Sequence, residues 1–368
     1  MADNLGHKEA FRQGGVVSQN PRSLSFGGRT VYSDSAEHEA LVQRILRVDE
    51  HVWQRALESY LHMLKSYDSA SRLSALRESW ETCSPHSVPI LLDARTSTCP
   101  ICLEPSVEPV SSRVSAETYG LCANCGHGLL LSPPSPSEVY RGAEYYERRT
   151  ESGVGYDAYP QEREYRETKA ERLFNWIMEC CGPITSLLEV GSGFGFSRAA
   201  AERRGWQTMG VDLNPAAASA AREIYNMQTC TGTLEQVLAS GVVEQGNWDA
   251  VLYQFVLEHV ADPVAELRHA AAAASANGFV VLLVPSMQAV ERIVFGASYR
   301  SFRPDHLHLF SWKSLDICLS KAGLHRVASR SECSVHLLAG FLTREELGAL
   351  YERGDGPDLV AIAEKEAT

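Results

Sequence analysis

Two periodicities divide the chain. From Ser35 to Tyr67 apolar residues recur at steps of three and four, as Leu41, Ile45, Val48, Val52, Leu57, Leu61 and Leu64. That spacing lines one face of a helix, and a second short helix is predicted over Ala70 to Glu81. Neither can bury its stripe alone, so both must dock, on the rest of this chain or on another copy. A structural extension, a homodimer contact and a substrate lid all remain open for them. Ahead of these helices, residues 1–34 are rich in Gly, Ser, Asn and Arg without sustained periodicity, and read as a mobile or loosely docked arm.

From Ser186 to about Gly340 the pattern changes to short apolar runs alternating with helical stretches. Ser186–Val190, Trp206–Val211, Trp248–Tyr253 and Phe279–Val284 read as strands. Asn214 and Pro215 open a helix as cap and first turn. Asp262-Pro263 opens an alanine-rich helix that Asn277-Gly278 is expected to end. Strand and helix in alternation predict an α/β fold, a doubly wound and mainly parallel sheet with helices on both faces. A last helix, near Thr343 to Glu352, is expected to lead into a polar tail.

Composition narrows the class. The 368 residues are 44% hydrophobic and 22% charged, as in ordinary globular proteins. No apolar run approaches the roughly 18 residues of a membrane helix, and Met1 to Gly15 lacks the apolar core of a signal peptide. A cytoplasmic protein without a membrane partner is expected. The net charge of −12 opposes a polyphosphate partner. In a reducing compartment the ten cysteines are not expected to pair, so clustered ones point to a metal.

Leu187-Leu-Glu-Val-Gly191-Ser-Gly193-Phe-Gly195 stands where a strand ends and a helix begins. Glycines there permit a tight turn and let a ligand approach bare backbone at a helix N-terminus. Asp212, at the end of the next strand, is placed to accept from ribose hydroxyls. The third glycine comes one residue too early for a dinucleotide fingerprint, and Glu189 would repel a pyrophosphate. A carboxylate suits a cationic amino-acid cofactor, which favours S-adenosylmethionine over a nicotinamide dinucleotide.

These residues resemble the class I S-adenosylmethionine-dependent methyltransferases over about residues 165–340. Gly210-Val-Asp212-Leu-Asn-Pro resembles the family's second-strand motif, and Thr231-Gly-Thr233-Leu234-Glu235 its third-strand segment, with Thr233 in place of the usual acid. Trp248 to Pro263 resembles the fourth-strand motif, and Gly278 to Pro285 the fifth strand. The resemblance implies a seven-stranded sheet and a cofactor site at Glu189, Gly191, Ser192, Gly193, Asp212, Leu213, Thr233, Leu234 and Gln254.

Cys99-x2-Cys102-x19-Cys122-x2-Cys125 has the spacing of a zinc ribbon, two knuckles offering four thiolates to one structural ion. Gly126 follows the second knuckle as expected, whereas Leu103 stands where a glycine commonly follows the first. The charges between Cys99 and Leu130 are Glu104, Glu108, Glu117 and Arg113, and an acidic ribbon argues against a nucleic-acid reader. The block from the ribbon through Ser132-Pro-Pro-Ser-Pro to Tyr140, Tyr145 and Tyr146 resembles the N-terminal module of bacterial small-molecule methyltransferases, including sugar C-methyltransferases and natural-product tailoring enzymes. That resemblance implies a ribbon shaping the substrate side and Tyr145 or Tyr146 near the sulfonium, where an aromatic face favours a cation.

Phe302-Arg-Pro-Asp305-His306-Leu-His308 resembles the His-x-His stretch of the same group. In an extended stretch the two histidines would point the same way. A hydroxyl, an ammonium or a carbon acid needs a general base before it attacks a methyl group, and His259, His306, His308 and then Tyr253 are the candidates. A metal pair with Asp305 or Glu258, and a purely structural role, stay open. Quinone O-methyltransferases are thought to hold a cation around the Glu-His motif, but Phe255 replaces one ligand here.

The expected organisation is a helical extension over 1–96, the ribbon over 97–135, a tyrosine-rich linker or flap over 136–170, the catalytic domain over 171–345 and a tail over 346–368. The reaction expected is methyl transfer to O, N or C of a small molecule in bacterial secondary metabolism. An RNA or protein methyltransferase docking through the ribbon, and an inactive binding protein of this fold, are the alternatives.

Overall fold

The computed structural model describes residues 22–26, 29–33, 98–111, 118–131, 143–147, 155–156, 159–295, 299–332 and 342–366. The helices expected over 35–67 and 70–81, the proline connector and Tyr140 lie outside the described residues. Within the expected arm, β1 (Arg22–Phe26) and β2 (Arg29–Ser33) form an antiparallel hairpin.

The large sheet contains β6 (Ser186–Val190), β7 (Gln207–Asp212), β8 (Thr229–Thr231), β9 (Trp248–Gln254), β10 (Ala274–Pro285), β12 (Leu324–Glu332) and β13 (Asp358–Lys365). Their order is β12-β13-β10-β9-β6-β7-β8, and β13 runs antiparallel to both neighbours. The order reverses between β6 and β9, both parallel to each other, and at such a switch point the C-terminal strand ends open a crevice for ligands.

Every residue of β6 is buried, because parallel strands covered on both faces need apolar residues at odd and even positions alike. Leu188 and Val190 join the core that includes Leu267 and Leu315; Leu187 joins the opposite one with Leu173, Phe174 and Ile177. The helices that cover these faces are α1 (Arg163–Cys181), α2 (Phe196–Arg203), α3 (Pro215–Tyr225), α4 (Leu234–Ala239), α5 (Pro263–Ala273), α6 (Val290–Phe295), α7 (Trp312–Lys321) and α8 (Arg344–Glu352). Among the described residues no helix is long and apolar enough to cross a membrane.

Two expectations are corrected. The segment past residue 346 is not a polar tail: Asp358-Leu-Val-Ala-Ile-Ala becomes β13, inserted between β10 and β12 with Leu359 to Ala363 fully buried. The alanine-rich helix stops at Ala273, short of Asn277-Gly278, and the chain is already extended from Ala274 through an irregularity in register. The cysteine module forms a small sheet of its own. Its strands β3 (Val107–Ser111), β4 (Thr118–Cys122) and β5 (Gly128–Leu130) are extended by β11 (His308–Leu309), which comes from the far end of the chain.

Candidate active site

Gly191, Gly193 and Gly195 all have positive φ, at 67°, 51° and 82°, conformations that a side chain disfavours. The turn lets the backbone N–H of Gly193 donate to Asp212 Oδ2 at 2.8 Å, while Asn214 N–H donates to Oδ1 at 2.8 Å. Asp212 ends β7 and is buried. Burial raises its carboxyl above the usual range, against the two N–H donors that favour the anion. Leu213 beside it is more than a third exposed, and Leu234 is buried. The Thr233 hydroxyl is committed to capping α4, accepting from Gln236 N–H at 3.2 Å.

Glu189 lies at the end of β6 with one oxygen accepting from Gln254 Nε2 at 3.1 Å; the same amide donates to Ser197 Oγ at 2.6 Å. The other carboxylate oxygen is buried without a partner, as is the hydroxyl of Ser192. Burial pushes the Glu189 carboxyl up to about 7, opposed by Arg198 and by the Ser197 and Gln254 hydrogen bonds. An orphaned carboxylate oxygen and hydroxyl beside a glycine turn are acceptors to which a cationic amino-acid group would donate, so the residues fit S-adenosylmethionine.

Aromatic side chains cover this turn. Tyr146 lies 4.9 Å from the Phe194 ring and donates to Asp212 Oδ2 at 3.4 Å. Tyr159 is also against Phe194, and its hydroxyl stands 2.3 Å from where a Cβ on Gly193 would be. Of the two tyrosines expected here, Tyr146 reaches the acid; Tyr145 packs edge-on against it. Arg166 of α1 lies 4.4 Å over the Tyr159 ring and holds it in place.

The four thiols meet. Cys99 and Cys125 are 3.7 Å apart, Cys102 and Cys122 3.5 Å, and all four lie within 4.8 Å of one another. A tetrahedral zinc with bonds of about 2.3 Å sets its sulfurs about 3.8 Å apart, so the cluster fits a structural zinc. Gly126 after the second knuckle has φ 69°, and Leu103 after the first adopts φ 66° despite its side chain. The departure from glycine leaves the turn geometry intact.

On the acceptor side, Val256 leads into a short turn, Leu257–His259, and its side chain occupies the space a Cβ on Gly191 would need. Glu258 and His259 follow Val256 in that turn. Glu258 is fully buried with both carboxylate oxygens unpartnered, and burial raises its pKa well above the usual range. His259 shares Nδ1–H with the carbonyl of Asp305 at 2.6 Å, and His306 shares its Nδ1–H with the carbonyl of Ser301 at 2.9 Å. Burial lowers both imidazole pKa values, so each ring is neutral with its lone pair on Nε2. Their ring centroids are 5.0 Å apart.

The two histidines of the His-x-His stretch part company, contrary to the expectation of one shared direction. His306 precedes β11 in a turn, whereas His308 lies in it and faces the ribbon, with Nδ1 3.0 Å from Nε2 of the buried His127. Burial holds His308 down at about 4. Tyr253 is also directed elsewhere: its hydroxyl donates to Glu266 of α5 at 2.9 Å inside the core, and burial raises its pKa well above 10.

Two partners of this site were not singled out from the sequence. Tyr119 of β4 sends its hydroxyl to the carbonyls of Arg303 at 2.6 Å and His306 at 2.8 Å, and the N–H of Arg303 lies 3.2 Å from it. Arg303 forms a fork on Asp305, at 3.0 and 3.2 Å, which holds the buried acid below the usual range against its desolvation. Nothing local marks Tyr119, whose contacts reach 184 residues along the chain to Arg303, whereas the fork of Arg303 on Asp305 spans only two residues.

A doubly wound sheet with an acid-flanked glycine turn at its switch point is the architecture of S-adenosylmethionine-dependent methyl transfer. Residues 141–329, just over half of the chain, match the methyltransferase domain family, and the chain belongs to it. The chain thus carries a methyltransferase domain. A curated relative, the ubiquinone biosynthesis O-methyltransferase of Caulobacter vibrioides, is 33% identical over 121 residues, or 31% of this chain and 47% of the relative, so the chain spans about half its length. Among solved structures, a methyltransferase from Archaeoglobus fulgidus aligns over 56% of this chain and 99% of its own, at 17% identity and a TM-score of 0.42. The 1,6-didemethyltoxoflavin-N1-methyltransferase of Burkholderia thailandensis aligns over 68% and 96%, at 16% identity and 0.43.

Proposed function

We propose that the chain methylates O, N or C of a small-molecule acceptor in bacterial secondary metabolism. The reading rests on Glu258, His259 and His306, whose polar atoms lie within 4.8 Å of one another just past the C-terminal end of β9, the strand that meets β6 at the switch point. A polar cluster of this size suits a small acceptor, and the −12 charge opposes a polynucleotide. The relative's name, an O-methyltransferase of ubiquinone biosynthesis, is in keeping with a small acceptor.

S-adenosylmethionine supplies an electrophilic methyl group on a sulfonium. Glu189 and the backbone around Gly191 and Gly193 would hold its amino-acid end, and Asp212 its ribose. Tyr146, Tyr159 and Phe194 would exclude water from the transfer path, and Tyr146 presents an aromatic face to the cation. Most of the acceleration then comes from alignment of the attacking atom with methyl and sulfur. His259 and His306 are oriented by their Nδ1–H bonds to backbone carbonyls, and the proton that the acceptor loses would leave past them to water. His308, turned to the ribbon, serves placement of β11.

The test is calorimetric titration with S-adenosylhomocysteine, followed by incubation with S-adenosylmethionine and a panel of small acceptors read by mass for a gain of one CH2. Binding plus a methylated small product supports the reading. No binding overturns it, as does methylation confined to RNA or protein.

A further inference from the structure

We propose that Glu258, His259 and His306 form a second metal site, distinct from the ribbon, for a divalent transition ion of intermediate softness such as zinc, manganese or iron(II). The three ligand atoms lie within 4.8 Å of one another, and His259 Nε2 is 3.8 Å from Glu258 Oε1. Donors sharing one ion at bonds of about 2.1 Å stand roughly 3–4 Å apart, so small side-chain adjustments close the set. Two imidazoles and one carboxylate suit such ions and leave coordination positions open.

Three independent features favour an ion over an empty pocket. Glu258 is fully buried with both oxygens unpartnered, and a buried carboxylate without a counter-charge is a costly arrangement. Each imidazole is oriented by an Nδ1–H bond to a backbone carbonyl, the arrangement that fixes the tautomer of metal-ligating histidines. Arg303 is forked on Asp305, and its attraction for Glu258 is outweighed by burial and by the nearby Asp305 and Asp358 carboxylates. Phe255 excludes a ligand one turn earlier, and His306, from a segment 47 residues beyond His259, supplies the third donor instead.

The consequence for chemistry rests on the proposed function, but the binding does not. An open coordination position takes an oxygen-bearing acceptor, a hydroxyl or enolisable carbonyl. Coordination would lower the pKa of a hydroxyl proton, or of the proton on the carbon beside a carbonyl; that proton would pass to water and leave the oxygen or that carbon electron-rich.

The experiment titrates the full-length, zinc-loaded protein with cobalt(II). The expected result is one additional cobalt per chain, with ligand-field bands and no thiolate charge-transfer band. Glu258→Gln and His306→Ala should each weaken it by at least about tenfold while ribbon zinc and circular dichroism stay unchanged. Saturation at the ribbon zinc alone, with cobalt(II), manganese(II) and zinc(II) all failing to add, overturns the proposal; so does equal affinity in His306→Ala, which decides the matter if Glu258→Gln does not fold. S-adenosylhomocysteine titration runs in parallel. Cobalt bound without it would defeat the functional reading only, and its binding without any second metal would defeat this proposal only.

Discussion

The donor and acceptor sides of the cleft are built in different ways. Every donor-side acid and glycine lies between Glu189 and Asp212, on two adjacent strands and the turn between them, and the backbone N–H bonds on Asp212 come from Gly193 and Asn214 in that same stretch, with Gln254 and Tyr146 added from further along the chain. The acceptor side draws on four segments: the turn after β9, the 301–308 stretch, β4 of the ribbon through Tyr119, and β5 through its pairing with β11. A ligand site made from one continuous motif tolerates loss of distant parts, whereas a site clamped from several depends on each clamp.

The ribbon is the largest such clamp. Beyond Tyr119, it accepts from Lys313 Nζ at the Asn124 carbonyl and from Lys321 Nζ at the Ile101 carbonyl, 2.7 and 2.6 Å away, and Ser311 donates to the carbonyl of Cys125. Structural zinc contributes on the order of 10 kcal/mol to such modules. Cys122→Ser together with Cys125→Ser should therefore abolish zinc binding and greatly raise amide hydrogen exchange over 303–309. Exchange over 186–195 and affinity for S-adenosylhomocysteine should change far less. Equal deprotection of both segments would erase the distinction between the two sides.

Asp212→Ala addresses the local side. The substitution removes the acceptor of two backbone N–H groups, which become unsatisfied, and the partner for a ribose. A charged hydrogen bond contributes about 1.5–3 kcal/mol, so affinity for S-adenosylhomocysteine should fall by roughly 10- to 100-fold in calorimetry. Tyr119→Phe should do the converse on a smaller scale. Loss of its hydroxyl from the 303–306 turn should lower denaturant stability by about 1 kcal/mol and leave cofactor affinity unchanged.

The same difference explains what could be read from the chain. The switch-point fold, the glycine turn, Glu189 with Asp212, and the four ligating thiols all follow from short-range spacing, and the structure brings each set together. The failures are long-range. The dipeptide of β11 is too short to carry a pattern, and its sheet partner is about 180 residues away, so neither its strand nor the divergence of His306 and His308 was legible. The strand at Asp358 was hidden for another reason: a stretch flanked by Gly354, Gly356 and Pro357 on one side and charges on the other reads as a tail until β10 and β12 cover both its edges. Tyr253 illustrates burial over motif. Its position in the fourth-strand motif suggested chemistry, but strand alternation turns it into the core against Glu266.

The mildest effect concerns pH. The Glu189 carboxyl rises from its ordinary 4.5 to about 7, chiefly because the site is dry. Between those values the folded chain binds a proton that the unfolded chain has released. Stability contributed by this group is therefore greatest at low pH and declines as pH rises through about 7. A cationic amino-acid end bound beside Glu189 reverses the preference, because it favours the carboxylate. Donor affinity should thus increase several-fold from pH 6 to pH 8, and Glu189→Gln should flatten both slopes while Tyr119→Phe leaves them in place. Calorimetry with S-adenosylhomocysteine and denaturant titration across that window measure the two slopes. A flat affinity profile in the unaltered protein would mean that Glu189 is already ionised before the donor arrives, held so by Arg198 and its hydrogen bonds to Ser197 and Gln254.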